Sequence, residues 1–140
     1  MTVQAILLPL FVEVVLTFVL LFCLAPMRTR DFGSGAVRPQ DVALREPNWP
    51  KKTQQFAYSF SNQFELPVLF YVLTILEYIT HLAGIVFVVL AWIFVIFRIL
   101  HAYVHVTNNV VRLRGSLFAI SAVVLAIMWV IYIVQVLLLV

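Results

Sequence analysis

Long apolar stretches joined by shorter polar segments make up this chain. Four apolar stretches cover most of it: 3–25, 57–80, 82–105 and 116–140. An α-helix rises about 1.5 Å per residue, so each stretch is long enough to cross a hydrocarbon core about 30 Å thick. The pattern predicts an all-α integral membrane protein, with residues 1–140 forming one domain built as a bundle of four transmembrane helices.

The polar segments decide how the four predicted spans are connected. Residues 26–56 and 106–115 form two polar loops, whereas spans 2 and 3 are separated only by a short turn at 80–82. A connection this short predicts an antiparallel hairpin, with spans 2 and 3 as neighbours. With four spans, both loops lie on one side of the membrane, and both termini lie on the other side with the turn.

Composition and charge support this picture. The chain is 64% hydrophobic and 11% charged, whereas a soluble domain is roughly 25% charged, so a soluble globular fold is excluded. All nine Lys and Arg residues except Arg98 lie in or beside the two loops. Basic loops are cytoplasmic, so both termini are expected to face outward. The basic residues form no stripe on a soluble face, so no nucleic-acid partner is expected.

Several ionisable or strongly polar residues lie within the predicted spans, where a charge costs at least about 2.5 kcal/mol unless it is paired or hydrated. These residues are Glu13, Asn62, Glu65, Glu77, Arg98, His101 and His105. We expect the sets in spans 2 and 3 to face the interior of the bundle, because spacings of three and four place side chains on one helix face.

Two ion pairs are predicted from position along the spans. Glu65 and Arg98 lie at matching depth on neighbouring helices, so we expect a buried ion pair, which either serves a site or only sets the helix register. Glu77 and His81, four residues apart, are expected to pair near the outer boundary. Glu13 has no partner identifiable from the sequence, although Arg98 of a neighbouring helix or subunit could reach it.

The polar residues near the loop side predict a pocket. His101 and His105 lie toward the loop side of span 3, with Asn62 on span 2 and both Arg112 and Arg114 at the start of span 4. With Arg98, these groups outweigh Glu65, so the predicted guest is a small anion carrying carboxylates, a thiolate or phosphate. Two histidines four residues apart can also bind a metal. No third ligand has suitable spacing, so no metal site is expected.

A stripe of small residues follows span 4, and it indicates a face that another helix could approach closely. Its members recur every three or four residues: Gly115, Ala119, Ala122 and Ala126.

The polar motifs together resemble those of a known family. The segment 62–67 reads Asn-Gln-Phe-Glu-Leu-Pro, Arg98-Ile99-Leu100-His101 lies late in span 3, and Arg114 opens span 4. This combination resembles the MAPEG family, the membrane-associated proteins in eicosanoid and glutathione metabolism, in its bacterial-type branch. The resemblance covers all four spans, and its bacterial-type branch implies a location in a bacterial inner (plasma) membrane.

The resemblance implies a fold, an assembly and an activity. It implies a left-handed four-helix bundle that assembles as a homotrimer and binds glutathione, as co-substrate, from the cytoplasmic side at subunit interfaces. Asn62 and Glu65 would hold the peptide and amino group of glutathione, and Arg98 and His101 would contribute to its pocket. Arg114 would be the catalytic residue that stabilises the thiolate.

Two further positions are assigned by the same resemblance. Arg28 or Arg30 would replace an arginine at the end of span 1 that contacts the tripeptide. His105 occupies a position that is often Tyr in the family. The sequence departs from the family's eukaryotic transferases before Asn62, where it reads Tyr58-Ser59-Phe60-Ser61 and supplies no arginine or histidine.

Three hypotheses about function follow. The first is a glutathione-dependent transferase or peroxidase that acts on an apolar electrophile or lipid hydroperoxide from the bilayer. The second is a non-catalytic protein of the same fold that binds membrane lipid or serves as an accessory subunit of a membrane complex. The third, a proton or ion pathway through the intramembrane charges, is disfavoured because the polar residues gather on one side.

Overall fold

The computed structural model describes residues 1–139, which form helices and connections with no β-strand. The α-helices are α1 (Val3–Gly33), α2 (Lys51–Asn62), α3 (Leu66–Ile79), α4 (Ile85–Val106) and α5 (Val111–Leu138), and a short 3₁₀ helix lies at Pro39–Asp41. Helices α1, α4 and α5 are long and apolar enough to cross a membrane. The prediction of an all-α membrane protein is confirmed.

Helix α1 is longer than the first predicted span. It begins after Thr2, whose hydroxyl accepts a hydrogen bond from the backbone N–H of Ala5 (3.2 Å), and it continues through Pro26 to Gly33. A proline inside a helix removes one backbone hydrogen bond. In the last turn, however, the buried carboxylate of Asp31 accepts a 2.5 Å hydrogen bond from the Thr53 hydroxyl of α2. This contact fixes the extended end of α1 against the next helix.

The second predicted span is not one helix, which corrects the prediction for residues 57–80. Helix α2 begins at Lys51, inside the predicted loop 26–56, and ends at Asn62. The chain is irregular from Gln63 to Glu65 before α3 begins. The physical cause is Pro67, which has no N–H to donate and whose ring clashes with the carbonyl of the residue four positions earlier. The interruption lies within the motif that carried the family resemblance.

The remaining connections are short. Residues 107–110 join α4 to α5, so the polar connection is shorter than the predicted loop 106–115. Asn109 there has a φ of 52°, and His81 in the turn between α3 and α4 has a φ of 58°. Val3 and Ile6 of α1 lie with Tyr78 and His81 around one cavity. The start of the chain and the α3–α4 turn therefore lie at the same end of the bundle.

The packing of the helices shows how the two halves of the second predicted span meet α4. The backbone of α3 lies beside α1 and α5, whereas that of α4 lies beside α1, α2 and α5. Helix α3 meets α4 across the core, where the rings of Phe70 and Phe94 stack with centroids 4.8 Å apart. Because the span is interrupted, its two halves have different neighbours: the backbone of α2 lies along α4, whereas α3 meets α4 through core side chains.

Candidate functional site

A polar cavity opens between α2, α4 and α5 at the end of the bundle where α2 begins. Its volume is about 410 Å³, and it is lined by Tyr58, Ser61, Asn62, Glu65, His101, His105, Arg114, Gly115 and Phe118. This volume lies within the range of small-molecule sites, about 300–1,000 Å³. Below, this cavity is called the polar pocket. It brings together five of the seven predicted site residues: Asn62, Glu65, His101, His105 and Arg114.

Side chains of α2 cap the end of α4 and so hold one wall of the polar pocket. The amide nitrogen of Gln55 donates to the carbonyl oxygens of His105 (3.1 Å) and Thr107 (3.3 Å), and the ammonium group of Lys52 donates to the carbonyl of Val106. The last carbonyls of a helix have no partners within it. These bonds satisfy them and fix α2 against α4.

Arg98 lies beneath the polar pocket and does not line it. Its side chain is 0% exposed, and Nη2 donates to the Asn62 side-chain oxygen Oδ1 (2.6 Å) and to the Asn62 carbonyl oxygen (3.3 Å). Within residues 1–139 its guanidinium makes no ion pair with Glu65, so that predicted pair is wrong. The interruption after Asn62 leaves an acceptor at the end of α2, and Arg98 binds there while Glu65 is exposed.

Glu13 is a second ionisable residue that lies buried inside the bundle near Arg98. Both residues are 0% exposed, and the Glu13 carboxylate interacts electrostatically with the guanidinium. The contact is not direct, because neither Glu13 oxygen has a hydrogen-bond partner in the described chain. An ionised Glu13 would partly offset the buried charge of Arg98, a role that the sequence alone left open.

The short α4–α5 connection positions Arg114 in the polar pocket. The backbone N–H of Asn109 donates to the carbonyl of Val104 (2.8 Å), which helps to close α4. The side-chain oxygen of Asn109 then accepts a 2.7 Å hydrogen bond from Nη1 of Arg114. Asparagine tolerates the left-handed backbone conformation found here. One residue thus ends α4 and orients the guanidinium.

The two histidines form the inner wall of the polar pocket. His101 and His105 are 2% and 5% exposed, and their ring centroids are 5.7 Å apart. The Nδ1 atom of each ring is buried and has no hydrogen-bond partner. Among residues 1–139, no group of three or more His, Cys, Asp or Glu side chains is placed to hold a metal ion. Both rings contribute to the lining of the polar pocket, while their Nδ1 atoms are buried without a partner in the described chain.

Comparison with known proteins identifies the family of this chain. The model of the MAPEG family matches residues 6–134. The chain belongs to the MAPEG family. No curated protein and no solved structure matches it. The matched region of this MAPEG protein includes every residue of the polar pocket, and it confirms the family resemblance of the sequence motifs.

The structure places Arg28 outside the polar pocket of this MAPEG protein. Its guanidinium carbon lies 5.0 Å from the centroid of the Trp49 ring, and it lines an adjoining cavity that shares Tyr58 and Ser61 with the polar pocket. Arg30 is exposed and lies 3.8 Å from the carboxylate of Asp31. Of the two arginines predicted to contact the tripeptide, only Arg28 lines a cavity that adjoins the polar pocket.

The charge of the polar pocket differs from the predicted basic character. Arg98 is buried beneath it and Arg112 is exposed elsewhere on α5, so Arg114 is the only arginine in the lining. Glu65 supplies one negative charge opposite it. The pocket thus offers one cationic and one anionic group, an arrangement suited to a zwitterion.

Four lining residues were not predicted as site residues, and one of them, Gly115, had been assigned only to the small-residue stripe. Tyr58 and Ser61 lie four and one positions before Asn62, and Phe118 lies four positions after Arg114. Residues three and four apart share a helix face, so helical spacing around Asn62 and Arg114 indicates Tyr58 and Phe118. Ser61 gave no such signal.

The predicted Glu77–His81 pair is also absent from the described chain. Glu77 is 2% exposed, whereas His81 is exposed and lines a different cavity near the start of α1. The left-handed conformation of His81 ends the helical register on which the predicted spacing of four depended.

Proposed function

We propose that this MAPEG protein binds glutathione in the polar pocket and is a glutathione-dependent transferase or peroxidase. The observation that carries the proposal is the convergence of Asn62, Glu65 and Arg114 with two buried histidines around one cavity of about 410 Å³. Glutathione is a zwitterion with one ammonium group, two carboxylates and a thiol, so it needs both signs of charge from its site.

The lining residues suit distinct parts of that molecule. Glu65 is the one lining carboxylate and would pair with the ammonium group, whereas Asn62 would bind the peptide. The rings of His101 and His105, which line the polar pocket, would supply further contacts. Arg98 acts indirectly, because it holds Asn62 from beneath through its 2.6 Å hydrogen bond.

Arg114 would carry the chemistry. A guanidinium near a thiol favours the thiolate and lowers the thiol pKa. In the transferase reaction the thiolate sulfur forms a bond to an electrophilic carbon, and the leaving group departs with the bonding electron pair. In the peroxidase reaction two thiols reduce a lipid hydroperoxide to an alcohol and water and are oxidised to one disulfide. An apolar partner would approach from the bilayer past Phe118.

A non-catalytic protein that binds lipid, or serves as an accessory subunit, is the second candidate. The observation in its favour is the scarcity of cations in the site. Arg98 is engaged with Asn62, and Arg28 packs on Trp49 in a separate cavity. A site with one free arginine also suits a zwitterionic lipid headgroup.

The proposal extends to assembly and topology. We propose that α2 and α3 cross the membrane together as one interrupted span, which makes four spans with both termini outward in a bacterial inner membrane. A homotrimer is supported by the small-residue stripe of α5, where Gly115, Ala119 and Ala126 are exposed. A side chain at Gly115 would meet no atom within 4 Å in this chain, so another subunit has room there.

Calorimetric titration of the purified protein in detergent with reduced glutathione tests the proposal. We expect micromolar-to-millimolar binding that is lost in an Asn62→Ala/Glu65→Ala variant of unchanged oligomer size. Asn48→Ala, in the exposed loop, is the matched control and should bind as the wild type does. An intact oligomer that binds no glutathione would overturn the proposal. The non-catalytic candidate would then be followed by mass spectrometry of lipid and protein that co-purify.

A further inference from the structure

A second cavity lies at the opposite end of the bundle from the polar pocket. It is enclosed by α3, the α3–α4 turn, the start of α4 and the end of α5, and its volume is about 230 Å³. Its lining is apolar except for Glu77 and Gln135; the apolar residues include Phe87, Leu90 and Met128. Below, it is called the outer cavity.

Glu77 is the unusual member of this lining. Its residue is 2% exposed, and the carboxyl oxygen Oε2 is buried with no hydrogen-bond partner. Among residues 1–139, no Lys, Arg or His contributes to the outer cavity, and His81 of the adjacent turn lines another cavity. An unmatched buried polar group costs about 1–3 kcal/mol. The carboxyl group is therefore available to a hydrogen-bond donor that enters the cavity.

The size and the rim of the outer cavity define the shape of that guest. A cavity of 150 Å³ accommodates benzene, so in proportion a volume of about 230 Å³ accommodates about nine non-hydrogen atoms. Ile85 and Val86 lie in the lining and are 63% and 56% exposed, so the cavity opens on the apolar flank of α4. An unbranched chain can enter by this route from the bilayer.

We propose that the outer cavity binds a single-chain amphiphile whose hydroxyl head donates a hydrogen bond to Glu77. The alkyl chain packs on Leu90 and Met128 and extends past Ile85 toward the bilayer. A hydroxyl group can donate to a carboxylate and can both donate to and accept from a carboxylic acid. It therefore satisfies Glu77 in either ionisation state, without bringing a second charge into an apolar site.

Two isomeric probes test this assignment. Octan-1-ol and 1-methoxyheptane have the same formula, and both match the estimated capacity of about nine non-hydrogen atoms. Only the alcohol has a hydrogen-bond donor. The protein has three methionines. Selective ¹³C-methyl labelling reports the outer cavity through Met128, while Met27 near the basic end of α1 serves as internal control. We expect octan-1-ol to shift the Met128 signal saturably and to bind about 10-fold more tightly than the ether.

Three variants locate the acceptor. Glu77→Leu should reduce the alcohol-to-ether preference to about 1, while binding of the ether persists. Glu77→Gln keeps only a neutral carbonyl acceptor and should lower the preference without abolishing it. If the leucine variant fails to fold, an unchanged preference in Glu77→Gln would overturn the assignment. Gln135→Leu, the matched control on α5, should keep the full preference.

Several results would overturn the proposal. Equal affinity for the two isomers would mean that no donor is recognised, and an unsaturable Met128 shift would mean that the cavity holds only water or detergent. A preference that survives Glu77→Leu, or that is lost in Gln135→Leu alone, would assign the acceptor elsewhere. These outcomes are independent of glutathione binding, because the two cavities lie at opposite ends of the bundle.

Discussion

Nη2 of Arg98 donates a 2.6 Å hydrogen bond to Oδ1 of Asn62, and this bond joins the middle of α4 to the end of α2. The guanidinium is fully buried. Asn62 therefore reaches the polar pocket with its side chain already oriented by a group that the pocket itself does not display.

Replacing Arg98 by lysine should separate this geometric role from the charge. Lysine keeps a positive charge near Glu13, but its side chain is shorter and lacks the Nη2 atom that donates to Asn62. We expect a loss of about 1.5–3 kcal/mol in unfolding free energy, together with weaker glutathione binding. Arg112→Lys, at an exposed position of α5, is the control. Equal stability of the two variants in a denaturation series would contradict the assigned role.

The Asp31–Thr53 hydrogen bond predicts a second effect on stability. Thr53→Val is nearly isosteric and leaves the carboxylate of Asp31, only 4% exposed, without its 2.5 Å donor. The expected loss is about 1–3 kcal/mol. Thr29→Val removes an exposed hydroxyl that bonds the carbonyl of Ala25, and it should change stability by less. Thermal denaturation in one detergent compares the pair; indistinguishable midpoints would argue against the buried bond.

Arg114 should affect turnover more than stability. Arg114→Gln removes the cation that favours the thiolate, so we expect a loss of about 10²-fold in glutathione-dependent kcat/KM with the oligomer size unchanged. The bound thiol should also ionise at higher pH in this variant, so its rate should level off at higher pH than that of the wild type. Arg112→Gln serves as the control.

Asn109→Gly isolates the contribution of orientation. Glycine keeps the left-handed backbone but removes the oxygen that holds Nη1 of Arg114. We expect a smaller loss of kcat/KM than in Arg114→Gln. If turnover and stability fall together in both variants, Arg114 has a structural role.

Membrane topology can be tested with cysteines placed at opposite ends of the bundle. In a Cys23→Ala background, Ser34→Cys and Thr80→Cys introduce thiols at exposed positions. We expect a membrane-impermeant maleimide to label the Thr80→Cys variant in intact cells, and the Ser34→Cys variant only after permeabilisation. The reverse pattern would place the basic connections outside.

Much of the pocket membership was predictable from residue type and spacing. His101 and His105 lie four apart on a continuous helix, so their common face follows from helical geometry, and both line the polar pocket. Asn62 and Glu65 reach the same pocket although the helix between them is interrupted. Membrane burial of polar residues was informative because the bilayer makes such residues costly unless they are satisfied.

The partners of the buried charges were not predictable. Matching depth along uninterrupted spans predicted an ion pair between Glu65 and Arg98. The interruption caused by Pro67 instead places Asn62 as the hydrogen-bond acceptor of Arg98. Arg28 was placed by its position after span 1, yet α1 continues past it and its side chain packs on Trp49. In both cases the helix boundaries differ from the predicted ones, so each arginine has a different tertiary partner from the one predicted.

The sequence by itself determined that the protein is helical, enters a membrane and belongs to the MAPEG family, because apolar run length and motif spacing are local properties. Tertiary structure decided which half of the interrupted span packs along α4, that Glu13 faces Arg98, and that Glu77 lies buried in a second cavity. These relationships depend on how helices distant in sequence approach one another. A shift of one helical turn or a single helix break changes which side chains meet. The residue pattern of one segment does not contain the information on how that segment packs against another.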